Sequence, residues 1–241
     1  MKKLVLKGWT KRKKGVVLLI ILSGVLYWFY SGAFYGDSGL REYVVDNITD
    51  GDTVLLDSGA KVRLMGLNTP ETGMLNGFEV EMFLEELVLG KKVSLDNFGE
   101  DRYGRTLGYL FLDGENVNEL ILKNGFASLY YYQKDEYYSD MKEAEESAME
   151  EKVGIWKESS RFGCLEIGEF VWLDDSEDDF EKLVLINSCD PFEITFKDDA
   201  THIYLREIGD ELTLETQNIW NDNGDSLYAW DDEGLVLFYR Y

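Results

Sequence analysis

Proline, cysteine and histidine are scarce in this chain of 241 residues, which has two prolines, two cysteines and one histidine. So little proline excludes a proline-rich or collagen-like protein. Two cysteines, Cys164 and Cys189, are too few for a disulfide-rich fold. They form either one disulfide bond or two buried free thiols. A single histidine, His202, with no cysteine cluster argues against a zinc site, so we expect a structural role for it.

The chain also lacks the broad basic surface that is typical of nucleic-acid-binding proteins. It has 47 acidic and 24 basic residues, a formal net charge of −23. Seven basic residues and no acid fall within positions 1–14, so the remainder holds 17 basic and 47 acidic residues, a net charge of −30. A body this acidic must hold any polyanion locally, through a few cations or a metal ion. Hydrophobic residues make up 45% of the chain, which excludes wholesale disorder.

An uncharged segment, 15–36, follows the basic N-terminus 1–14. As a helix it would be about 33 Å long, which is enough to cross a bilayer. The cations before it favour a cytoplasmic N-terminus and an extracytoplasmic body. The alternative is a cleaved signal peptide, because Ser31-Gly32-Ala33 offers small residues to a signal peptidase, and the body would then be secreted. We favour an uncleaved single-pass anchor in the cell membrane, because the apolar run is long for a signal peptide.

Residues 41–156 interleave short strands with helices. β-type runs flank a turn at 50–52, and strands are also predicted at 61–67, 92–96 and 106–112. Apolar residues recur at helical spacing in three further segments, 80–87, 117–121 and 136–152. The last of these helices is expected to expose a row of glutamates, Glu143, Glu145, Glu146, Glu150 and Glu151. Five strands with interposed helices favour an α+β fold, a partly open OB-type barrel.

The pattern changes after a linker predicted at 157–163. Residues 164–241 contain seven short β-like runs separated by turn signals and no helical period: 170–173, 183–186, 192–196, 202–205, 212–215, 226–230 and 235–239. This arrangement favours an all-β sandwich. Trp220 and Trp230 are expected to fill its core.

Three segments of the barrel region carry residue types suited to phosphodiester chemistry. They are Asp50-Gly51-Asp52-Thr53, then residues 63–71 (RLMGLNTPE), then Asp101-Arg102-Tyr103-Gly104-Arg105. Arg63 and Arg105 each offer a planar guanidinium fork that fits a phosphate. Glu71 follows Pro70 in extended chain and offers a carboxylate that can accept a proton from water. Asp52 with oxygen ligands from 68–69 can hold a hard cation such as Ca²⁺.

In this order, the three motifs resemble the staphylococcal nuclease (thermonuclease) family over about residues 42–156, through Gly154-Ile155-Trp156. The resemblance implies catalytic roles for Arg63, Glu71 and Arg105. It implies that Ca²⁺ is held by Asp52, Asn68 and the carbonyl of Thr69, and that the nucleotide pocket is lined by Tyr103 and Tyr131. Position 68 departs from the family pattern, which has Asp there. The neutral amide oxygen of Asn68 predicts weaker metal binding or a different metal preference.

Segments of the C-terminal part resemble the lamin-tail domain, an immunoglobulin-like sandwich that also occurs beside secreted prokaryotic nucleases. They are residues 183–187, 202–204, 218–228 and 231–241. No catalytic cluster appears among them, so the role of this domain and its partner are left open.

The sequence therefore predicts an extracytoplasmic, membrane-anchored, Ca²⁺-dependent nuclease that hydrolyses phosphodiester bonds of DNA, with RNA as a second candidate substrate. One alternative is a non-catalytic OB-type module that binds nucleic acid. A second is a cell-surface adhesion protein that acts through the C-terminal sandwich. The enzyme is favoured because binding alone does not need a carboxylate such as Glu71 near the phosphate.

Overall fold

The computed structural model describes residues 40–71, 73–131, 133–171, 181–200, 202–217, 219–220 and 224–241. The predicted basic N-terminus and the predicted membrane or signal segment lie outside these ranges. No helix within them is long and apolar enough to span a membrane. Residues Arg41–Tyr241 form one compact unit, which contains both the nuclease-like part and the C-terminal strands.

A small barrel forms the first part of this unit. Its elements in chain order are β1 (Arg41–Asp50), β2 (Thr53–Leu56), β3 (Lys61–Leu64), β4 (Leu67–Asn68), α1 (Gly77–Val88), β5 (Lys92–Glu100), β6 (Thr106–Leu112), β7 (Glu115–Asn116), α2 (Val117–Lys123), β8 (Ser128–Leu129), α3 (Tyr138–Glu151) and a 3₁₀ turn (Gly154–Trp156). The strands pair in the order β3–β2–β1–β5–β6, all antiparallel, and β3 closes the ring by pairing with β6 in parallel. The predicted five-stranded OB-type barrel with helices is confirmed.

The alternation of the strands and the helical spacing of apolar residues decide which side chains fill the barrel. In β3, Val62 and Leu64 are buried, whereas Arg63 between them points to the other side and keeps some solvent exposure. Helix α1 covers the core with residues spaced four apart: Val80, Leu84 and Val88. The side chain of Asn116 begins helix α2 by accepting hydrogen bonds from the backbone of the next turn. The face of β3 that carries Arg63 is therefore turned away from the hydrophobic core, towards one end of the barrel, which we call the rim.

In the rest of the unit, the described residues form β-sheets. Its strands are β9 (Leu165–Val171), β10 (Glu181–Asn187), β11 (Phe192–Lys197), β12 (Ile203–Ile208), β13 (Glu211–Thr216), β14 (Ser226–Trp230) and β15 (Leu235–Arg240). They form two antiparallel sheets, β13–β10–β9 and β12–β11–β14–β15. Both sheets contribute to one hydrophobic cluster, which includes Leu185 from the first sheet and Phe196 from the second. Strand β9 begins at Leu165, earlier than the predicted run at 170–173.

A disulfide joins Cys164 and Cys189, whose Cα atoms are 5.6 Å apart. It connects the start of β9 to the turn between β10 and β11. Of the two alternatives that the sequence left open, a disulfide bond or two free thiols, the structure has the disulfide bond. Nearby, Trp220 lies in the core between the two sheets, as predicted.

The expectation that Trp230 fills the same core is wrong. Trp230 lies in a separate cluster with Ile155 and Trp156, and its indole Nε1 donates a 3.0 Å hydrogen bond to the carbonyl of Ile155. The end of the barrel domain and the sheet β11–β14–β15 therefore share this cluster. A tryptophan at the end of a strand fits either place equally well when only the sequence is known.

Glu145 also departs from its prediction. It was expected on the solvent-exposed face of α3, but it is only 2% exposed, and it pairs with Arg240 of β15. The segment predicted as a linker is hydrogen-bonded too: the carbonyl of Lys157 accepts from the backbone N–H of Leu235 at 2.7 Å. These contacts join the barrel to the C-terminal sheets along an ordered junction.

Candidate active site

Asp52 lies where the turn after β1 meets the rim of the barrel. Its Oδ2 is 2.9 Å from Nη2 of Arg63 and accepts a 3.2 Å hydrogen bond from Oγ1 of Thr69, while its Oδ1 accepts one of 3.0 Å from Oγ1 of Thr53. The register of β2 and β3 sets Thr53 directly opposite Arg63. Glycine is needed at position 51, because a Cβ there would lie 2.6 Å from Cγ1 of Val80 on α1.

The guanidinium of Arg63 is held in a fixed orientation. Its Nη1 donates to the carbonyl of Leu64 at 2.6 Å, and its Nη2 donates to the carbonyl of Leu67 at 2.9 Å as well as pairing with Asp52. These contacts leave Nε–H and one Nη1 hydrogen without a described acceptor. Because the group is anchored on a barrel strand, it can meet a phosphate without losing much side-chain entropy.

Arg105 reaches the same rim from the residue before β6. Its Nε donates to Oδ2 of Asp101 at 2.8 Å, and its Nη1 donates to Oγ1 of Thr53 at 3.4 Å. Burial acts to raise the pKa of Asp101, but hydrogen bonds from Arg105 and Tyr103 outweigh it and lower that pKa, so the carboxylate stays charged. Thr53 therefore links both predicted catalytic arginines, since it also binds Asp52.

Tyr103 is 68% exposed, and its ring lies beside the cationic groups of this turn. The ring centroid is 5.7 Å from Cζ of Arg105 and 4.8 Å from Cζ of Arg102. An exposed aromatic face next to a guanidinium is suited to stacking with a base. The role of Tyr103 in the nucleotide pocket stays a prediction.

The other predicted nucleotide-pocket residue, Tyr131, belongs to a cluster of phenols. Its hydroxyl is 2.6 Å from that of Tyr109 and donates to Oδ1 of Asp135 at 3.2 Å. Its ring packs so closely on Gly66 that a Cβ at that glycine would lie 3.0 Å from Cε2. No contact joins Tyr131 to either arginine among the described residues.

Glu71 is exposed, and its side chain makes no hydrogen bond or ion pair within the described residues. It comes two residues after Thr69, so its backbone is tied to the rim through the Thr69–Asp52 hydrogen bond. Its carbonyl accepts a hydrogen bond from the backbone of Met74 at 2.9 Å, which closes a turn leading into α1. The carboxylate is thus left open to a water molecule.

Asn68 is directed to the C-terminal sheets. Its Oδ1 accepts a 3.0 Å hydrogen bond from Nζ of Lys197, which ends strand β11. Lys197 is 3% exposed, and burial lowers its pKa although the charges of Asp198, Asp199 and Glu71 oppose that effect. The resemblance predicted Asn68 as a metal ligand, and its amide oxygen already has a cationic partner.

The Asp52 carboxylate is poorly solvated at the rim. Burial raises its pKa to about 6, while the guanidinium of Arg63 acts in the opposite direction and Asp50 adds to the rise. The oxygen donors of Asp52 and Thr69 fit a hard cation such as Ca²⁺. Within the described part of the chain, however, no group of three or more His, Cys, Asp or Glu side chains is arranged to hold a metal ion.

Sequence reasoning missed two residues of this rim, Thr53 and Lys197. Thr53 belongs to the Asp50–Thr53 motif, whose carboxylates alone were considered for a role. A hydroxyl at the first position of β2, next to Asp52, was the signal that could have identified it. Lys197 is separated from Asn68 by 129 residues. Its only signal is a lysine at the end of an apolar strand in an acidic segment.

Comparisons with known proteins agree with this architecture. The model of the family described as staphylococcal nuclease homologue matches residues 61–158. The thermonuclease of Staphylococcus hyicus is 32% identical over 157 residues, which are 58% of this chain and 93% of that protein. The thermonuclease of Staphylococcus intermedius is 30% identical over 164 residues, or 59% and 96%. The SPbeta prophage-derived endonuclease YokF of Bacillus subtilis is 34% identical over 134 residues, or 50% and 45%.

The barrel, its two rim arginines and these similarities define a nuclease, a hydrolase of ester bonds. The chain belongs to the staphylococcal nuclease family. The motifs that carry the resemblance in the sequence lie on the rim formed by Asp52, Arg63 and Arg105.

Proposed function

We propose that this chain is a Ca²⁺-dependent nuclease that cuts phosphodiester bonds of DNA or RNA at the rim of the barrel. The observation that carries the proposal is the convergence of Arg63 and Arg105 on the Asp52–Thr53 pair. Two guanidinium groups at one rim can neutralise the charge that grows on a phosphate oxygen during attack. In an acidic body they also provide the local positive charge that a polyanion needs.

Each residue of the rim has a distinct part in the proposed mechanism. Arg63, fixed by two backbone carbonyls, binds the phosphate and stabilises its transition state. Arg105, held by Asp101, does the same from the neighbouring strand. Glu71 accepts a proton from the attacking water, a contribution of about 10²–10⁴ in rate. Tyr103 stacks on a base beside the cut.

Asp52 and Thr69 would hold Ca²⁺ in this proposal. The ion supplies Lewis-acid charge to the phosphate when it is bound. Support comes from the carboxylate of Asp52: burial raises its pKa, so a nearby cation would stabilise its charged form. The hydroxyl of Thr69 donates a 3.2 Å hydrogen bond to that carboxylate.

We further propose that the body works outside the cytoplasm and that residues 15–36 anchor it to the cell membrane. The disulfide between Cys164 and Cys189 supports an extracytoplasmic location, because such bridges persist in oxidising compartments. The seven basic residues before the apolar segment support the orientation. We also propose that the two C-terminal sheets form an immunoglobulin-like sandwich of the lamin-tail type, since they are antiparallel and share one core.

An assay of the purified full-length protein tests the nuclease proposal. Single-stranded DNA, duplex DNA and RNA are each incubated with Ca²⁺ and with EDTA. We expect cleavage with Ca²⁺, loss of it in EDTA, and a fall of at least about 10²-fold in kcat for Glu71→Gln. Glu79→Gln, on the exposed first turn of α1, is the matched control and should cut normally. Equal activity of both variants would rule out Glu71 as the base, and cleavage in EDTA would rule out the metal dependence.

A further inference from the structure

Lys197 is a buried lysine whose three ammonium hydrogens all have carbonyl acceptors. Nζ donates to the carbonyl of Ala200 at 2.6 Å, to the carbonyl of Asp198 at 3.1 Å and to Oδ1 of Asn68 at 3.0 Å. Only the last acceptor belongs to the barrel part. An ammonium group has three hydrogens, so all the hydrogen-bond donors of Lys197 are used. Its link to Asn68 therefore spans the junction between the C-terminal sheets and the nuclease site.

The hydrogen bond occupies the oxygen that the family resemblance assigns to the metal. A neutral amide oxygen that accepts from a buried ammonium group is a poor ligand for a divalent cation, because the two cations repel each other and the amide carries no charge that would offset the repulsion. At the same time, the bond restrains the chain just before Thr69 and Glu71. Asn68 is held from the other side as well, since β4 pairs with β8 and its carbonyl accepts from Ser128.

We propose that Lys197 is a positioning residue of the nuclease site: its ammonium withholds the Asn68 oxygen from the metal and fixes the 68–71 segment that carries Glu71. The inference rests on the proposed nuclease function. It makes the C-terminal sheets part of the catalytic unit, since β11 supplies the group that orders the rim. It also explains how a neutral Asn is accommodated at position 68, where it serves as an acceptor for Lys197.

Titration of the full-length protein with Ca²⁺ alone, followed by calorimetry, tests the first part. Asn68→Asp is compared in the wild-type background and in a Lys197→Met background. With Lys197 present, the new carboxylate pairs with the ammonium, and the Kd for Ca²⁺ should change by less than about threefold. Without Lys197 the same substitution should tighten Kd by about tenfold or more, because the unpaired carboxylate gives the hard cation one more charged oxygen ligand. Equal tightening in both backgrounds would overturn the inference.

Kinetics test the positioning role. Lys197→Met should lower kcat by about 10–100-fold with little change in KM, because the substrate still meets both arginines while Glu71 loses its fixed place. The matched control is Lys182→Met, which removes a surface lysine that pairs with Glu169 at 2.6 Å. Asn68→Ala removes the acceptor from the partly exposed side and should reproduce the loss. Combining it with Lys197→Met should add little, because both break one link.

The outcomes separate this inference from the function on which it rests. If the wild-type protein does not cut nucleic acid, or if Glu71→Gln cuts as well as the wild type, the proposed function fails. If the wild type cuts and Glu71→Gln does not, but folded Lys197→Met and Asn68→Ala keep full kcat, only the role of Lys197 is refuted. Thermal unfolding of each variant establishes that it is folded. If one of Lys197→Met and Asn68→Ala does not fold, the kcat of the other decides.

Discussion

Arg240 and Glu145 are joined by two hydrogen bonds across the junction between β15 and α3. Nη1 lies 2.7 Å from Oε2, and Nη2 lies 3.0 Å from Oε1. The Glu145 side chain is 3% exposed, and Oε1 also accepts a 2.7 Å hydrogen bond from the backbone of Leu129. A single buried carboxylate thus connects three elements: β8, α3 and the last strand of the chain.

Removing the charge of Glu145 should destabilise the protein markedly. We expect Glu145→Gln to lower the free energy of unfolding by about 2–4 kcal/mol, because Arg240 would be left with a partly buried, unpaired charge. Glu146→Gln is the matched control: its carboxylate is 58% exposed and pairs with Lys142, so its loss should cost less than about 0.5 kcal/mol. Urea unfolding measures both. Equal effects would mean that the buried pair contributes nothing beyond a surface one.

The two neighbouring arginines of the 101–105 turn should differ sharply in catalysis. We expect Arg105→Ala to lower kcat by about 10²–10³-fold, because it removes a donor aimed at the rim from a fixed position. Arg102→Ala should change kcat by less than about threefold, since that guanidinium bonds only to the hydroxyl of Tyr103 among the described contacts. Initial rates on one oligonucleotide give the comparison. A similar loss in both variants would indicate a general electrostatic attraction for nucleic acid.

The raised pKa of Asp52 predicts a pH-dependent stability difference. In EDTA, the folded protein takes up a proton at Asp52 near pH 6, whereas the unfolded chain does so near pH 4. Between these values the folded state binds more protons, so this group lowers stability as the pH rises through the window. Asp52→Asn lacks the effect. Relative to the wild type, it should therefore gain about 2–3 kcal/mol between pH 4 and pH 7.

Denaturant titrations of both proteins at several pH values measure this gain. Comparing the two proteins cancels the contributions of the other carboxylates, such as Asp101, whose pKa is lowered. A stability difference that is constant over the window would contradict the assignment.

The disulfide should stabilise the C-terminal sheets through the chain it closes. Cys164 and Cys189 are 25 residues apart, and the loop-closure estimate for that length is about 3–4 kcal/mol. We expect Cys164→Ser/Cys189→Ser to lose about that much free energy of unfolding in urea. Adding a reductant should weaken the wild type to the same level and leave the double variant unchanged. A wild type that is insensitive to reductant under unfolding conditions would refute this contribution.

Local patterns in the sequence were sufficient for most of the barrel. The strand predicted at 61–67 is present as β3, and its alternating residues Val62 and Leu64 are buried. The turn at 50–52 and the extended chain before Glu71 are each within a few residues of the strands that carry them. Side chains placed by a strand register or a helical period can be predicted, because both depend on neighbours within a few residues.

Contacts between distant segments could not be predicted in the same way. The sequence does not distinguish Glu145 from its neighbouring glutamates. It is buried because it pairs with Arg240, which is 95 positions away in the chain. The partner of Asn68 is similarly remote. A single sequence shows the period of a helix but does not show which of its faces a later strand will cover.

The backbone pairing of Lys157 with Leu235 has a consequence for proteolysis. Ser159 donates its backbone N–H to the carbonyl of the same Leu235, and its hydroxyl bonds to Asp231, so the connecting chain lies along the last hairpin as an additional edge. A protease that cut at Arg161 would leave the Trp156–Trp230 cluster and the Arg240–Glu145 pair intact. The two fragments would remain associated and would separate only in denaturant.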